Sequence, residues 1–337
     1  MNVQAQYQQK RMSANDAIRV VKNGDTIVVP TAVGEPPTLL TALSEARRDF
    51  RDVQISQILP VRKYAYFDQE TQANVRHTAY FFSGASRPGG LEGWIDYIPA
   101  YFSELPILIN RNLIPADVVF SMASPMDEHG FFSLALAADY TMAAIAKARV
   151  VVLEVNPNVP FANGDCHIHI SQVAALTESD DPILEVGLPK IGPVQEMIGK
   201  YVAEMIPDGA TLQIGYGGIP DAVVMQLTDK HDLGVHTEMV GDGIMTLVEA
   251  GVVTNRKKNY HPGKMLATFA LGSKKLYQFM HRNPAIEMHA VDFTNDPYLA
   301  GKNDNLHAIN ATMQIDFMGQ CGSESLGFAP YSGTGGQ

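Results

Sequence analysis

The chain has 337 residues, which predicts about two domains, and its 46% of hydrophobic residues is enough for ordinary globular cores. A formal net charge of −11 gives no electrostatic support to a nucleic-acid partner, so we expect none. The N-terminal residues are polar and no apolar run approaches the roughly 20 residues of a membrane helix, so we expect neither a signal peptide nor membrane association. The two cysteines, Cys166 and Cys321, predict reduced thiols in a cytoplasmic protein.

Strands and helices alternate through the first half of the chain. Ser13 is predicted to cap a helix that Gly24 ends, because Asp16 follows three residues later with apolar residues behind it. We further predict strands at 25–30, 53–59, 78–82, 118–122 and 150–155, helices at 39–50 and 135–148, and a glycine-rich loop at 84–93. This alternation is typical of an α/β domain with a largely parallel sheet.

The composition changes to acids, prolines and glycines between Asp180 and Pro193. We place the domain boundary there, which gives an N-terminal domain of residues 1–190 and a C-terminal domain of residues 191–337. In the second domain we predict helices at 195–206, 221–227, 244–250 and 274–282, and strands at 211–214, 233–236, 265–270, 286–293 and 306–315.

An internal repeat relates the two halves. Gly24 and Gly209 each precede a predicted strand, and Gly34 and Gly218 each begin a Gly-x-Pro sequence before a helix. Such a pattern also arises by chance, but we prefer two similar open α/β domains with the active site in the cleft between them. The chain ends in a glycine turn, which normally leads into another element, so we expect the second domain to be incomplete in this chain.

Glu238 follows a glycine loop and a strand, in a region where a parallel sheet places its ligands. One interpretation is an exposed or helix-capping carboxylate. Another is a dinucleotide site, because Gly215-x-Gly217 with an acid about 20 residues later has that spacing, although Pro220 replaces the third glycine. The third is a catalytic carboxylate in a cleft lined with backbone donors.

The residues around Glu238 resemble those of the family I coenzyme A transferases, in particular the 4-hydroxybutyrate and butyrate:acetate CoA-transferase branch, to which the acetyl-CoA hydrolases are related. The stretches that carry the resemblance are 215–223, 234–239, 241–243, 127–134, 154–160, 294–297 and 333–337. The resemblance covers nearly the whole chain and agrees with two similar α/β domains. Family members continue past the point where this chain stops.

The resemblance implies that Glu238 attacks an acyl-CoA thioester to form a mixed anhydride, which the released CoA thiolate converts to a glutamyl-CoA thioester. A carboxylate with the ordinary pKa near 4.3 is ionised at neutral pH and needs no general base. It is a weak nucleophile, so backbone N–H groups must stabilise the oxyanion. The natural donors are Gly217, Gly218, Ile219, Gly335 and Gly336.

Further candidates surround this core of the predicted site. Gly215, Tyr216, Asn310 and Met313 are placed in the CoA channel, and Glu35 and His129 in the acyl pocket. The CoA phosphates have basic candidates at Arg256, Lys257, Lys258, Lys264, Lys274, Lys275 and Lys302, although such charges also occur on any solvated face. His167 and His169 share one face of a strand, but we interpret them as a polar strand edge and expect no metal.

We therefore expect CoA to be a substrate, with no permanently bound cofactor. The expected partners are acyl-CoA, short-chain carboxylates such as acetate, and further copies of the chain in a homo-oligomer. The rest of the second domain would be missing or lie on another chain. An acetyl-CoA hydrolase on the same scaffold and a non-catalytic nucleotide- or CoA-binding protein are the alternatives.

Overall fold

The structure is a computed structural model that describes residues 2–187 and 189–336. The strands of the first half are β1 (Thr26–Val29), β2 (Val53–Ile58), β3 (Val75–Phe81), β4 (Asp96–Tyr97), β5 (Val118–Ala123), β6 (Phe131–Ser133), β7 (Val150–Val155), β8 (Asn163–Gly164), β9 (His167–His169) and β10 (Ala175–Glu178). Its helices are α1 (Val3–Lys10), α2 (Ala14–Ala17), α3 (Pro37–Glu45), α4 (Arg87–Glu92), α5 (Leu105–Asn110) and α6 (Thr141–Lys147).

Seven of these strands form one parallel sheet in the order β10-β7-β5-β1-β2-β3-β4. β1 and β5 are buried along their whole length, as continuous apolar runs predict for central parallel strands. The strand order reverses between β1 and β5, and the crevice at the carboxyl ends of these strands is where such sheets place ligands. β6 and β9 form a separate antiparallel pair.

The second half contributes another set of short strands. They are β11 (Thr211–Ile214), β12 (Gly234–Val235), β13 (Met239–Val240), β14 (Met265–Ala267), β15 (Phe269–Ala270), β16 (Ile286–Met288), β17 (Leu306–Ile309), β18 (Gln314–Ile315), β19 (Cys321–Gly322), β20 (Ser325–Leu326) and β21 (Ala329–Pro330). Its helices are α7 (Pro193–Glu204), α8 (Gly218–Met225), α9 (Asp242–Glu249), α10 (Lys274–Met280), α11 (Val291–Thr294) and α12 (Pro297–Ala300).

Isolated bridges join these strands into a second parallel sheet. β17, β11 and β12 are neighbours, and His236 bridges in parallel to Leu266. The segment from β12 to β13 therefore lies between β11 and the segment from β14 to β15. β16 follows on the other side, and the last strand is β8, which comes from the first half of the chain. The pairs β18–β19 and β20–β21 are antiparallel hairpins outside the sheet.

The predicted repeat is visible in the backbone of the two sheets. Gly24 and Gly209 have φ angles of 82° and 75°, which favour glycine. Gly24 donates its N–H to Arg51, just before β2, and Gly209 donates its N–H to His231, just before β12. The same glycine turn thus precedes β1 of the first sheet and β11 of the second. The predicted pair of parallel α/β sheets is present.

The hydrophobic core connects the two halves. Ile27 and Val29 of β1 pack in a hydrophobic cluster with Leu40 and Leu43 of α3. Val28 packs in a larger cluster that extends into the second half of the chain. That larger cluster reaches residues such as Leu212, so the face of the first sheet that carries Val28 is buried with the second sheet in one core. Among the described residues, no helix combines the length and apolar character that crossing a membrane requires.

The helix predicted at 135–148 is half wrong, because α6 begins only at Thr141. The preceding segment forms turns around an isolated bridge from Ala137 to Phe269 and is buried. There Ala138 donates its N–H to Thr268, and Leu136 accepts from Ala270. Small side chains permit this close approach, since a Cβ on Gly34 would lie 2.6 Å from that of Ala137. Tertiary packing here overrides the helix propensity of alanine.

Three other predicted elements also differ. The loop predicted at 84–93 contains α4, which has a proline in its first turn and ends at Gly93 with a φ of 87°. The strand predicted at 286–293 stops after β16 and turns into α11. The strand predicted at 306–315 is divided between β17 and the hairpin strand β18.

Candidate active site

Glu238 lies between β12 and β13, in the middle of the second sheet. The hydroxyl of its neighbour Thr237 accepts from the N–H of Ile214 at 2.9 Å and donates to the carbonyl of the same residue at 3.0 Å. On the other side, the Glu238 carbonyl accepts from the N–H groups of Thr268 at 2.9 Å and Phe269 at 3.2 Å. Pairing on both sides fixes the backbone from which this carboxylate projects.

The Glu238 carboxylate is partly buried and has a side-chain donor. Asn295 Nδ2 donates to Glu238 Oε2 at 2.5 Å. Burial raises the pKa of Glu238 to about 7; the hydrogen bond from Asn295 opposes this rise and the nearby Asp139 carboxylate adds to it. The expectation of an ordinary carboxyl pKa is therefore corrected, because the sequence alone did not reveal how far this side chain is withdrawn from water.

Sequence reasoning gave Asn295 no role. It follows α11, and its N–H bonds to the carbonyl of Val291 at 2.9 Å, whose own N–H bonds to Asp139 at 3.2 Å. The segment 135–139 between the sheets thus holds the helix that presents the Asn295 amide to Glu238. The only signal in the sequence was that Asn295 stands in one of the stretches that carry the family resemblance.

The terminal glycines lie against the same carboxylate. Ser332 and Gly335 accept from the N–H groups of Phe82 and Phe102, each at 2.8 Å, so this segment lies along the first domain. A Cβ on Gly336 would fall 1.5 Å from Glu238 Oε2 and 2.3 Å from Asn295 Nδ2. Glycine is therefore required at this position, and the predicted role of Gly335 and Gly336 as N–H donors stays a prediction.

The glycine loop after β11 lies one strand away from Glu238. Gly217 has a φ of 132°, and no heavy atom of the described residues lies within 4 Å of a Cβ built there, so its surroundings are open. Gly218 and Ile219 form the first turn of α8, whose N–H groups have no acceptor within the helix. Tyr216 is 58% exposed. The loop therefore has N–H donors without acceptors in the helix beside an open space, and its role in binding CoA stays a prediction.

Asn310 supports this loop from the neighbouring strand. Its Nδ2 donates to Gln213 Oε1 at 2.8 Å, and Gln213 Nε2 returns a bond to Asn310 Oδ1 at 3.3 Å. A Cβ on Gly215 would lie 2.6 Å from Asn310 Oδ1, which explains the glycine. Met313 instead lies at the hairpin of β18 and β19, where its N–H bonds to Gly322 and its side chain is 43% exposed.

Comparison with known proteins identifies the family. The sequence profile of the acetyl-CoA hydrolase/transferase N-terminal domain matches residues 1–186, and that of the C-terminal domain of the same family matches residues 272–337. The chain belongs to the acetyl-CoA hydrolase/transferase family. The first of these matches ends close to the predicted boundary at 190, which stays a prediction.

Curated relatives of this family member are CoA-transferases. The chain is 47% identical to a succinyl-CoA:cyclohexane-1-carboxylate CoA transferase of Geobacter metallireducens, over 98% of this chain and 76% of that protein. It is 41% identical to a 4-hydroxybutyrate coenzyme A transferase of Clostridium kluyveri, over 98% of this chain and 77% of that protein. These relatives confirm the predicted resemblance and make the chain an acyl-CoA:carboxylate CoA-transferase, an enzyme class that uses CoA as a substrate.

Solved structures confirm the predicted fold class. RipA from Yersinia pestis has a TM-score of 0.92 at 33% identity, with 96% of this chain and 78% of that chain covered. A 4-hydroxybutyrate CoA-transferase from Porphyromonas gingivalis has a TM-score of 0.83 at 34% identity, with 94% of this chain and 77% of that chain covered.

In this CoA-transferase Glu35 does not line an open pocket. Its side chain is fully buried, and its carboxylate accepts from Gln57 Nε2 at 2.9 Å, from the Val61 N–H at 3.3 Å and from Arg62 Nη1 at 3.4 Å. Burial raises the pKa of Glu35, and these donors oppose that rise. The Glu35 carboxylate oxygens thus accept hydrogen bonds from protein groups, and the residue orders the loop that follows β2.

His129 was also expected in the acyl pocket, and the structure does not support that placement. It stands in the exposed turn before β6, where its Nε2 lies 3.5 Å from the Glu128 carboxylate. The adjacent Gly130 packs against Val3 of α1 and His169 of β9. No contact among the described residues links His129 to Glu238. The turn that contains His129 leads into β6, which pairs with β9.

The basic candidates have different environments. Lys258 is buried, and its Nζ donates to the carbonyls of Val235 and Lys264, so it is not free to bind a phosphate. Burial lowers its pKa to about 7. Lys264 donates to Pro284, and Lys275 pairs with Glu249 at 2.6 Å. The remaining candidates are exposed and stay predictions: Arg256, Lys257, Lys274 and Lys302.

The histidines considered for a metal have protein partners. His167 Nδ1 lies 3.1 Å from the Gly164 carbonyl, and His169 Nδ1 lies 2.8 Å from Ser171 Oγ. Both residues are in β9, which pairs with β6. Their contacts agree with the predicted polar strand. Cys166 is buried and Cys321 exposed, and both are free thiols.

Proposed function

We propose that this enzyme transfers CoA between a short-chain acyl-CoA and a carboxylate acceptor such as acetate, with Glu238 as the nucleophile. The observation that carries the proposal is the environment of the Glu238 carboxylate. Its backbone is fixed on both sides within a sheet, and one carboxylate oxygen accepts a hydrogen bond from Asn295. Gly336, which has no side chain, leaves room for the carboxylate. Such positioning compensates for the weak nucleophilicity of a carboxylate.

The reaction begins when a Glu238 oxygen attacks the thioester carbonyl of acyl-CoA. The C–S bond breaks, the CoA thiolate leaves, and an acyl-glutamyl anhydride remains. The thiolate then attacks the glutamyl carbonyl, which releases the original acid as a carboxylate and forms a glutamyl-CoA thioester. An acceptor carboxylate reverses these two steps, leaves as its own CoA thioester and regenerates Glu238.

Each addition places negative charge on a carbonyl oxygen, and N–H donors must stabilise it. The first turn of α8 at Gly218 and Ile219 supplies donors beside an open space. The terminal turn at Gly335 and Gly336 adjoins the carboxylate itself. Losing one donor of this kind costs roughly 3 kcal/mol of transition-state stabilisation.

The protonation state of Glu238 sets the pH dependence of the first step. Only the carboxylate attacks, and a pKa of about 7 leaves a large protonated fraction at neutral pH. The rate of acylation therefore increases as the pH rises through this value. Withdrawal from water also weakens the hydration of the carboxylate that reacts.

Trapping of the intermediate tests the proposal. Incubation with acyl-CoA in the absence of an acceptor, followed by borohydride, reduces a glutamyl thioester to an alcohol that peptide mass spectrometry places on Glu238. Glu238→Gln is the control, since it has no carboxylate to acylate. An unmodified Glu238 in a preparation that transfers CoA would disprove its role.

Acceptor dependence separates the proposal from its alternatives. A transferase releases a new acyl-CoA only when a carboxylate is added, and a series from acetate to cyclohexane-1-carboxylate covers the acceptors named for relatives. A hydrolase releases CoA at the same rate without any acceptor. A non-catalytic binding protein shows no turnover with any acceptor, and its Glu238→Ala variant keeps full affinity for CoA.

A further inference from the structure

Three side chains with metal-binding atoms converge beside β16, outside the surroundings of Glu238. They are His261, from the loop before β14, Glu287 within β16 and His289 just after it. One ligand atom of each lies within 4.8 Å of those of the others. His261 Nδ1 is 2.9 Å and His289 Nε2 is 3.3 Å from the same oxygen, Glu287 Oε2. Two imidazoles and a carboxylate therefore face one point.

The contacts of His289 with two carboxylates fit a cation at this point. Its Nε2 faces Glu287, and its Nδ1 lies 3.2 Å from Asp165 Oδ2. A neutral imidazole carries one N–H, so it donates to only one of these two carboxylates. A metal ion on the Nε2 side satisfies both contacts, because Nδ1–H then donates to Asp165 while the Nε2 lone pair binds the ion. This carboxylate–histidine–metal arrangement is common in metalloproteins.

We infer that His261 Nδ1, Glu287 Oε2 and His289 Nε2 bind one divalent transition-metal ion with the preferences of Zn²⁺. Nitrogen and oxygen ligands about 2.0–2.1 Å from a tetrahedral Zn²⁺ are about 3.3 Å apart. The separation of 3.3 Å between His289 Nε2 and Glu287 Oε2 equals this spacing, and the separation of 2.9 Å between His261 Nδ1 and Glu287 Oε2 is shorter. The His261 side chain is 31% exposed, which leaves the fourth position accessible to water.

The surroundings supply support for the three ligands. Lys264 Nζ lies 3.7 Å from Glu287 Oε1, so it pairs with the oxygen that the ion does not use. The ring of Phe293 packs on His289 with centroids 4.6 Å apart, and Tyr260 packs on His261 at the same distance. These contacts restrict the rotation of both imidazoles.

The position of the site implies a structural role. The His289 N–H bonds to Ala267 at 2.9 Å, and its carbonyl accepts from Thr268 Oγ1 at 2.7 Å. The Thr268 N–H in turn bonds to the carbonyl of Glu238 at 2.9 Å. An ion on His289 braces the strand end that precedes α11 and Asn295. It takes no part in the chemistry proposed for Glu238, so the two proposals fail independently.

Metal uptake by the untagged full chain tests the inference. The protein is first treated with a chelator, and Zn²⁺ is then added in equilibrium dialysis with metal analysis. We expect one Zn²⁺ per chain, and a tetrahedral Co²⁺ spectrum when Co²⁺ replaces it. His289→Ala and His261→Ala should abolish the bound ion. Asp165→Asn, at a side chain that is 84% exposed, should weaken binding about tenfold or more without affecting the fold.

His231→Ala is the matched control, because His231 is an exposed histidine paired with Asp208 elsewhere on the surface. It should leave binding unchanged, and circular dichroism verifies that every variant is folded. Failure of the folded wild-type chain to bind Zn²⁺ would overturn the inference. Equal binding by wild type, His261→Ala and His289→Ala would also overturn it, since the ion would then lie elsewhere.

Discussion

Replacement of Glu238 by glutamine should make the protein more stable, by an amount that depends on pH. The pKa of Glu238 is raised from 4.5 to about 7 in the folded state because the side chain is withdrawn from water. Between these two values the folded state holds a proton that the unfolded state has released. The contribution of Glu238 to the free energy of unfolding of the wild type therefore falls as the pH rises through this window, and is constant above it. Glutamine does not titrate, so the Glu238→Gln variant does not lose this part of the free energy of unfolding.

The size of the effect follows from the two pKa values. A pKa shift from 4.5 to about 7 changes the free energy of unfolding by about 3 kcal/mol when the pH changes from well below 4.5 to well above 7. Between about pH 5 and about pH 8 the expected change is about 2.5 kcal/mol. The partial exposure of the side chain makes this an upper bound, because solvent screens the remaining charge.

The measurement is urea unfolding of wild type and Glu238→Gln, followed by circular dichroism at both pH values. The difference between the two proteins should grow from the acidic to the alkaline condition. Glu128→Gln is the matched control for the loss of a carboxylate, because the Glu128 side chain is 86% exposed. If the Glu238→Gln difference did not grow with pH more than the Glu128→Gln difference, the argument from the burial of Glu238 would be refuted.

Three other substitutions have specific expected outcomes. Asn295→Ala removes the donor to Glu238 Oε2, so the acidic limb of the pH–rate profile should move up by about one unit and turnover should fall about tenfold or more. Gly336→Ala places a methyl group onto the Glu238 carboxylate and should abolish transfer in a steady-state assay. Burial lowers the pKa of His77 to about 3, and neither ring nitrogen has a hydrogen-bond partner among the described residues. Wild type should therefore lose stability to urea relative to His77→Phe as the pH falls from 6.5 toward 3.

Each of these expectations has a contradicting result. An unchanged acidic limb in Asn295→Ala would mean that the amide does not act on the ionisation of Glu238. Gly84→Ala is the control for Gly336→Ala, since a Cβ on Gly84 meets no atom within 4 Å, and equal activity of the two variants would remove the steric argument. Equal loss of stability at low pH in wild type and His77→Phe would show that protonation of His77 does not cause that loss.

The sequence predicted the fold class well because its signals are local. Continuous apolar runs marked the central strands β5 and β7, and the glycine turns at Gly24 and Gly209 marked the entry to each sheet. Glu238 was recognisable because its neighbours in the chain carry the family resemblance. These features depend on residues that are adjacent in the sequence.

What the sequence could not predict depends on contacts between distant segments. Asn295 meets Glu238 across 57 residues of chain, through a helix that is held by the carbonyl of Asp139. The burial that raises the pKa of Glu238 arises from the same assembly. The sequence analysis placed Glu35 and His129 in the acyl pocket, whereas the structure buries Glu35 and puts His129 in an exposed turn. Nothing in their local sequence distinguishes a buried acceptor or an exposed turn from a ligand-binding side chain.

The crossing of β8 into the second sheet has a consequence for the construction of chimaeras. Asn163 and Gly164 pair with Glu287 and Met288, although they precede the junction at 181–192 that the sequence suggests. A hybrid that joins the first half of one relative to the second half of another at that junction mixes two parents within a single sheet. A crossover before Asn163 keeps this edge strand with its native neighbour, but it separates β10 from β7 and β9 from β6. No single crossover between β7 and α7 therefore leaves both sheets with strands from one parent.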